Sequence, residues 1–217
     1  MNVTIFGANS SIGKHLINLF IKGGHKVIAF VNKPGSIKLP PSNLKIIVGH
    51  AYDHALVRSA IEDADIVINA FKPDFKIFKN TNYYINNISN KTIIEEMVRL
   101  NKKRFITLSR LTNSSDTGNI NPFIWTFLNK IQYKSYKDEF KSTLELLQKS
   151  DLDWTVLRII RTAPSRKKGQ YSYYKDQNIK LSPFVSNYNI ACFLYDISIK
   201  NLFINEMPII SNKKSKK

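Results

Sequence analysis

Asn2-Val3-Thr4-Ile5-Phe6-Gly7-Ala8-Asn9-Ser10-Ser11-Ile12-Gly13 stands at the start of the chain, and its reading decides the fold. A short apolar strand runs into a glycine-anchored turn, and the turn runs into a helix. That succession aims the free amides of a helix N-terminus at an anion, most often a dinucleotide pyrophosphate. Gly7 allows the tight turn, and Gly13 lets the helix close on the strand. Gly7, Asn9, Ser10, Ser11, Ile12 and Gly13 are therefore the candidate phosphate cradle. An ordinary strand-turn-helix junction without a ligand is the alternative.

Working outward, strand and helix patterns alternate. Apolar strand-like runs fall at 26–31, 44–48, 65–70, 104–109 and 153–157, and helical patterns at 11–22, 54–62, 84–101 and 123–149. Gly23-Gly24, Pro34-Gly35 and Pro40-Pro41 punctuate them. Such alternation predicts an α/β fold, a doubly wound parallel sheet wrapped by helices. The core is expected over about 1–158. Residues 159–212 lose the alternation and are read as a small C-terminal lobe on the substrate side. The basic tail, 213–217, cannot bury apolar surface and is expected to stay disordered and dispensable. The whole is one domain.

With 43% hydrophobic residues over 217 positions, the chain can build a substantial core. A single cysteine, Cys192, excludes an internal disulfide and sits in an apolar run; no Cys/His spacing suggests a metal. Neither a leader-like segment nor a run of about 18 apolar residues is visible, so a cytoplasmic protein without membrane contact is expected. The net charge of +17 is uneven: the first hundred residues carry 12 basic against 7 acidic side chains, the remainder 21 against 9. No nucleic-acid motif accompanies it, so a solvated basic surface is expected rather than a nucleic-acid partner. The oligomeric state is not legible.

Several stretches together resemble one family. Gly7 to Gly13 resembles its G-x-x-G-x-x-G turn, with Ser10 in place of the middle glycine. Val48-Gly49-His50-Ala51-Tyr52-Asp53 resembles G-D-x-x-D after strand 3, and Leu108-Ser109-Arg110-Leu111 resembles V-S-S-L. Leu144-Glu145-Leu146-Leu147-Gln148-Lys149-Ser150-Asp151-Leu152-Asp153-Trp154-Thr155-Val156-Leu157-Arg158 resembles E-E-L-L-R-x-S-G-L-D-W-T-I-V-R almost position by position. Ser186-Asn187-Tyr188-Asn189-Ile190-Ala191 resembles S-R-x-D-x-A. These are motifs of the atypical short-chain dehydrogenases/reductases that include the NmrA-like NAD(P)H-binding and biliverdin-reductase-B-like, NADH-flavin-reductase-like proteins. The resemblance covers most of 1–195. It implies an NAD(P)-binding Rossmann fold and places His50 near the adenine. Ala70, Phe71 and Lys72 end strand 4, where they are expected to flank the cofactor's ribose or phosphates.

NAD-specific sites place an acid after strand 2 to hold the ribose 2′-hydroxyl. This chain has Asn32 and Lys33 there, and a lysine can neutralise a 2′-phosphate as a point charge. NADP(H) is expected ahead of NAD(H), with a solvated turn lysine as the alternative for Lys33.

The wider superfamily uses Tyr-x-x-x-Lys for proton transfer. Tyr133 and Lys137 have that spacing, but counting back from Ser150 puts the tyrosine position at Tyr136 and the lysine position at Phe140. Tyr136, without a lysine, and Ser109, at the end of strand 5, are the candidate catalytic groups. Phe123, Trp125, Phe127, Tyr171, Tyr173 and Tyr174 offer an aromatic wall for a planar substrate, or simply packing. Two readings stand. One is a reductase passing hydride from NADPH to a small conjugated acceptor such as a flavin or quinone. The other is a non-enzymatic NADP-binding redox sensor or regulatory protein.

Overall fold

A computed structural model describes residues 1–37, 42–71, 81–111, 133–159, 161–164, 171–174 and 184–212. β1 (Asn2–Phe6) is followed by α1 (Ser11–Lys22), β2 (Lys26–Val31), β3 (Leu44–Val48), α2 (His54–Ile61) and β4 (Ile66–Asn69). Then come α3 (Thr81–Arg99), β5 (Arg104–Arg110), α4 (Tyr133–Gln148) and β6 (Asp153–Ile159). The chain closes with β7 (Thr162–Ala163), β8 (Tyr171–Tyr174), β9 (Val185–Ser186), α5 (Asn187–Ile199) and β10 (Ile209–Asn212).

The main sheet runs β3-β2-β1-β4-β5-β6-β10-β8, with every neighbouring pair parallel except β10 and β8. The order reverses at β1, the switch point where open α/β sheets bind ligands at the strands' carboxyl ends. Alternate strand residues feed two cores, as a parallel sheet covered on both faces requires. Ile5, Ala29 and Ile68 pack with Leu16, Phe20, Ile190 and Leu194 under α1 and α5. Phe6, Phe30 and Val67 pack with Val57, Ile93, Met97 and Leu147 under α2, α3 and α4.

α1 forms because Ser10 caps it, Ile12, Leu16, Ile17 and Phe20 repeat at helical spacing, and Gly24 takes φ +77° just beyond its end. The expected elements are present with small shifts. α3 starts at Thr81 and stops at Arg99, with Asn101 at φ +53° behind it. β6 runs two residues further than expected because Arg158 and Ile159 pair with Ser109 and Arg110. Of the 123–149 helix, the part before 133 lies outside the described residues, as does the tail 213–217. Of the 159–212 stretch, α5 packs on α1 and β10 lies beside β6, so both join the main stack. β7 and β9 pair separately. Asn212 ends β10, where its side chain accepts from Ser186 N and Asn189 Nδ2.

α2 and α3 are joined by one buried acid. Glu96 accepts from Arg58 Nε at 2.7 Å and lies 2.9 Å from His54 Nδ1. The Arg58 hydrogen bond, outweighing burial and assisted by His54, pulls the Glu96 carboxyl down to about 2.

Candidate functional site

The Gly7 turn is closed against the exit of β4. Gly7 sits at φ +67°, and a Cβ there would lie 2.8 Å from Phe71 N and 2.9 Å from the Ala70 carbonyl carbon. A Cβ at Gly13 would overlap the Gly7 carbonyl oxygen and Ala8. Both glycines are thus demanded by close backbone approach. Ser10 N donates to Gly7 O at 2.9 Å and closes the turn. Its hydroxyl accepts from Gly13 N at 3.0 Å and donates to Ala70 O at 3.1 Å. The serine in the middle glycine's place therefore turns inward as a helix cap and a brace to β4. Ser10 also spends both its donors inside the fold. The amides of Ser11 and Ile12 precede the helix ladder and have no partner among the described residues. The Ile12 side chain is buried in the core, so only its amide faces the turn.

One strand across, Asn9 Nδ2 donates to Asn32 Oδ1 at 2.9 Å. Two residues named from separate motifs are thereby brought together, and both Asn32 and Lys33 are exposed. Beyond β3, Gly49 N donates to Val31 O, and the rings of His50 and Tyr52 stack with centroids 4.9 Å apart and planes 6° from parallel. Asp53 caps α2, accepting from Ala55 N at 3.0 Å and Leu56 N at 3.1 Å. The second aspartate of the G-D-x-x-D resemblance thus has a structural role.

Ala70 is buried and Phe71 half-buried at the end of β4. Below them lies a polar network that sequence reasoning missed. Asn69 Nδ2 donates to Asn90 Oδ1 at 2.6 Å, Thr107 Oγ1 donates to the same oxygen at 3.1 Å, and Asn90 Nδ2 reaches Thr143 Oγ1 at 3.4 Å. Asn69 Oδ1 in turn accepts from Phe71 N at 3.1 Å. The network ties β4, α3, β5 and α4 under the sheet's carboxyl edge. Its one sequence signal was an asparagine ending an otherwise apolar strand.

Ser109 lies on β5 opposite Arg158, half-buried, and among the described residues its hydroxyl makes one long donation, 3.4 Å to Arg110 O. Tyr133, Tyr136 and Lys137 lie on α4, but their side chains are outside the described residues, as are Phe123, Trp125 and Phe127 altogether. Tyr171 and Tyr173 are placed in packing: Tyr173 contacts Phe193 and Phe203, and the Tyr171 hydroxyl donates to Asp196 Oδ2 at 3.1 Å. The described rings of the expected aromatic wall thus face α5 and its following turn.

Among the described residues, three buried side-chain polar atoms lack a hydrogen-bond partner: Arg104 Nε, Thr162 Oγ1 and Asn187 Oδ1. Each such orphan costs about 1–3 kcal/mol. Among the described residues no cluster of His, Cys, Asp or Glu suits a metal ion, and no helix is long and apolar enough to cross a membrane.

A family model described as NAD(P)H-binding matches residues 7–199. No curated protein matches the chain at a significant level. Among solved structures, a Rossmann-fold NAD(P)-binding family protein from Shigella flexneri is 24% identical, with TM-score 0.72 over 100% of this chain and 95% of its own. A short-chain dehydrogenase/reductase from Veillonella parvula, solved in complex with NADP, is 17% identical, with TM-score 0.77 over 100% and 96%. ChuY, an anaerobillin reductase from Escherichia coli O157:H7, is 17% identical, with TM-score 0.77 over the full length of both chains. At these identities the structural likeness establishes the Rossmann fold. The family match spans the turn, the switch point and α5 alike, and at the turn close backbone packing demands both glycines while the amides of Ser11 and Ile12 have no partner among the described residues. The chain belongs to the NAD(P)H-binding family of Rossmann-fold proteins.

Proposed function

We propose that the protein is an NADPH-dependent reductase acting on a small planar conjugated acceptor such as a flavin or quinone. The observation that carries the reading is that two α1 amides without a partner among the described residues and a loosely tied hydroxyl, Ser109 on β5, lie at the same carboxyl edge of the sheet, with β4 between their strands. The pyrophosphate is assigned to Ser11 N and Ile12 N, with Gly7 and Gly13 giving close backbone access. Asn32 and Lys33 face the 2′-phosphate, His50 and Tyr52 the adenine, and Ala70 and Phe71 the neighbouring ribose. The nicotinamide supplies hydride when bound. Ser109 then polarises an acceptor oxygen or holds a proton at its Oγ, and Tyr136 is the second candidate hydroxyl.

The test is NADPH oxidation with a panel of flavins and quinones, run beside NADPH titration. Turnover with at least one acceptor is expected. Tight NADPH binding with no oxidation across the panel would overturn the reductase reading and leave a regulatory NADP-binding protein.

A further inference from the structure

β1, β2 and β3 lay three rows of side chains on the face that α2 covers. Asn2, Lys26 and Asn43 make the first row, Thr4, Ile28 and Lys45 the second, and Phe6, Phe30 and Ile47 the third. The third row packs into the core with α2 and α3. α2 has only eight residues, and its end is drawn over β1: Thr4 Oγ1 donates to Ala60 O at 2.6 Å, and Asn2 Nδ2 donates to Asp63 O at 2.9 Å. At the amino ends of β2 and β3 the same face stays open, with Lys26 and Lys45 exposed and Ile28 half-buried. A cavity of about 260 Å³ lies there, lined by these three residues together with Asn2, Asn43 and Asp63. It is at the far edge of the sheet from the phosphate turn, separated from it by the length of β2, roughly 16 Å.

The polar groups around the cavity divide into two sets. Asn2 and Asn43 spend their amide hydrogens on the fold, Asn2 on Asp63 O and Asn43 on His25 O at 3.0 Å. The side chains of Lys26, Lys45 and Asp63 have no hydrogen bond or ion pair among the described residues. The two lysines stand on neighbouring strands, two residues out of step. Strand spacing and rise put their Cα atoms roughly 8 Å apart, within reach of one carboxylate for side chains of that length. Between them on the same face, Ile28 offers the apolar surface that α2 leaves uncovered. Asp63 sets the limit on charge. Two ammonium groups and one carboxylate complement a ligand with a single negative charge, whereas a phosphate ester brings a second one toward Asp63.

We propose that this cavity is a second ligand site, distinct from the dinucleotide cleft, that takes a small organic monocarboxylate. The carboxylate lies on Lys26 and Lys45, and the ligand's apolar body lies on Ile28. Asp63 turns away phosphorylated compounds, so the site does not compete for the cofactor.

Calorimetric titration of the full chain with three matched probes tests it: 2-naphthoate, the neutral 2-naphthamide and the dianionic 2-naphthyl phosphate. Saturable one-to-one binding of 2-naphthoate is expected, with the amide and the phosphate each weaker. Lys26→Met and Lys45→Met should each weaken 2-naphthoate by roughly threefold, and the double variant by about tenfold. Asp63→Asn should raise the affinity for 2-naphthyl phosphate and leave 2-naphthoate within about twofold. Saturating NADPH should not displace 2-naphthoate, and the lysine variants should bind NADPH as the parent does. Absence of saturable 2-naphthoate binding overturns the proposal. So does equal binding of the amide, which would leave an apolar patch without recognition of charge. Tighter binding of the phosphate in the parent, or an affinity for 2-naphthoate untouched by the double lysine variant, also overturns it. Displacement of 2-naphthoate by NADPH would place the probe in the dinucleotide cleft and remove the second site.

Discussion

Asn9 Nδ2 donates to Asn32 Oδ1 across 2.9 Å, and this bond joins the phosphate turn to the exit of β2. It occupies the carbonyl end of Asn32, so the amide's remaining hydrogens are the groups Asn32 offers outward. Beside it stands the exposed ammonium of Lys33. Donors alone suit a phosphate, whereas a free ribose hydroxyl is best held by an acid.

NADPH should therefore bind more tightly than NADH, by roughly tenfold or more for one added charge-assisted contact. Lys33→Glu should abolish or reverse the preference, and Asn32→Asp should shift it toward NADH. Fluorescence titration with both dinucleotides measures this. Equal affinity in the parent protein removes the role given to Lys33.

The inward turn of Ser10 separates stability from binding. Ser10→Ala removes the cap on Gly13 N and the brace to Ala70 O, and should cost about 1–2 kcal/mol. For a chain of this size that is roughly a 2–8 °C fall in melting temperature. NADPH affinity should change little, because the hydroxyl proton already goes to Ala70. A large loss of affinity with melting unchanged would show that the hydroxyl serves the phosphate instead.

Glu96 makes a prediction in pH. Its carboxyl is held at about 2 in the fold against 4.5 when unconstrained, so its contribution is fully present above about pH 4.5. It drains away as pH falls toward 2. Glu96→Gln should melt lower than the parent at neutral pH, and the gap should close across that window. Arg58 is partly exposed, so the neutral-pH loss belongs at the low end, about 1 kcal/mol. A gap that stays constant from pH 6 to pH 2.5 would mean that the carboxylate charge does nothing for stability.

What the sequence disclosed and what it withheld divide by distance along the chain. The β1-turn-α1 unit was legible because Gly7, Ser10 and Gly13 act on one another within a few residues, and apolar periodicity marked the alternating elements. The reason Ser10 replaces a glycine was not legible, because its partner Ala70 lies 60 residues away. The Asn69–Asn90–Thr107–Thr143 network was hidden for the same cause: its bonded pairs are 17 to 53 residues apart. α5 hid differently. Ile190, Ala191, Cys192, Phe193 and Leu194 are all buried, so no polar face breaks the run into a helical period. Only the resemblance at Ser186–Ala191 marked a helix start, and residues 187–199 otherwise read as part of a lobe, although they cover one face of the sheet.

Ser109 carries the chemistry proposed for the site, and its surroundings set the expectation. It lies on β5 at the carboxyl edge, and its 3.4 Å contact to Arg110 O is long for a hydroxyl donor. A bound acceptor oxygen would compete for that proton at little cost. Tyr136 lacks a lysine four residues on, where Phe140 stands, so the lysine half of the dyad is missing there. Ser109→Ala should thus lower NADPH oxidation by roughly the 10²- to 10⁴-fold worth of a positioned proton-transfer or polarising group, with NADPH affinity preserved. Tyr133→Phe should leave the rate within a few-fold, and Tyr136→Phe should fall between the two. Steady-state rates with the best acceptor, paired with dinucleotide titration of each variant, measure this. A thousand-fold loss in Tyr133→Phe with binding intact would restore the Tyr133/Lys137 pair and displace Ser109.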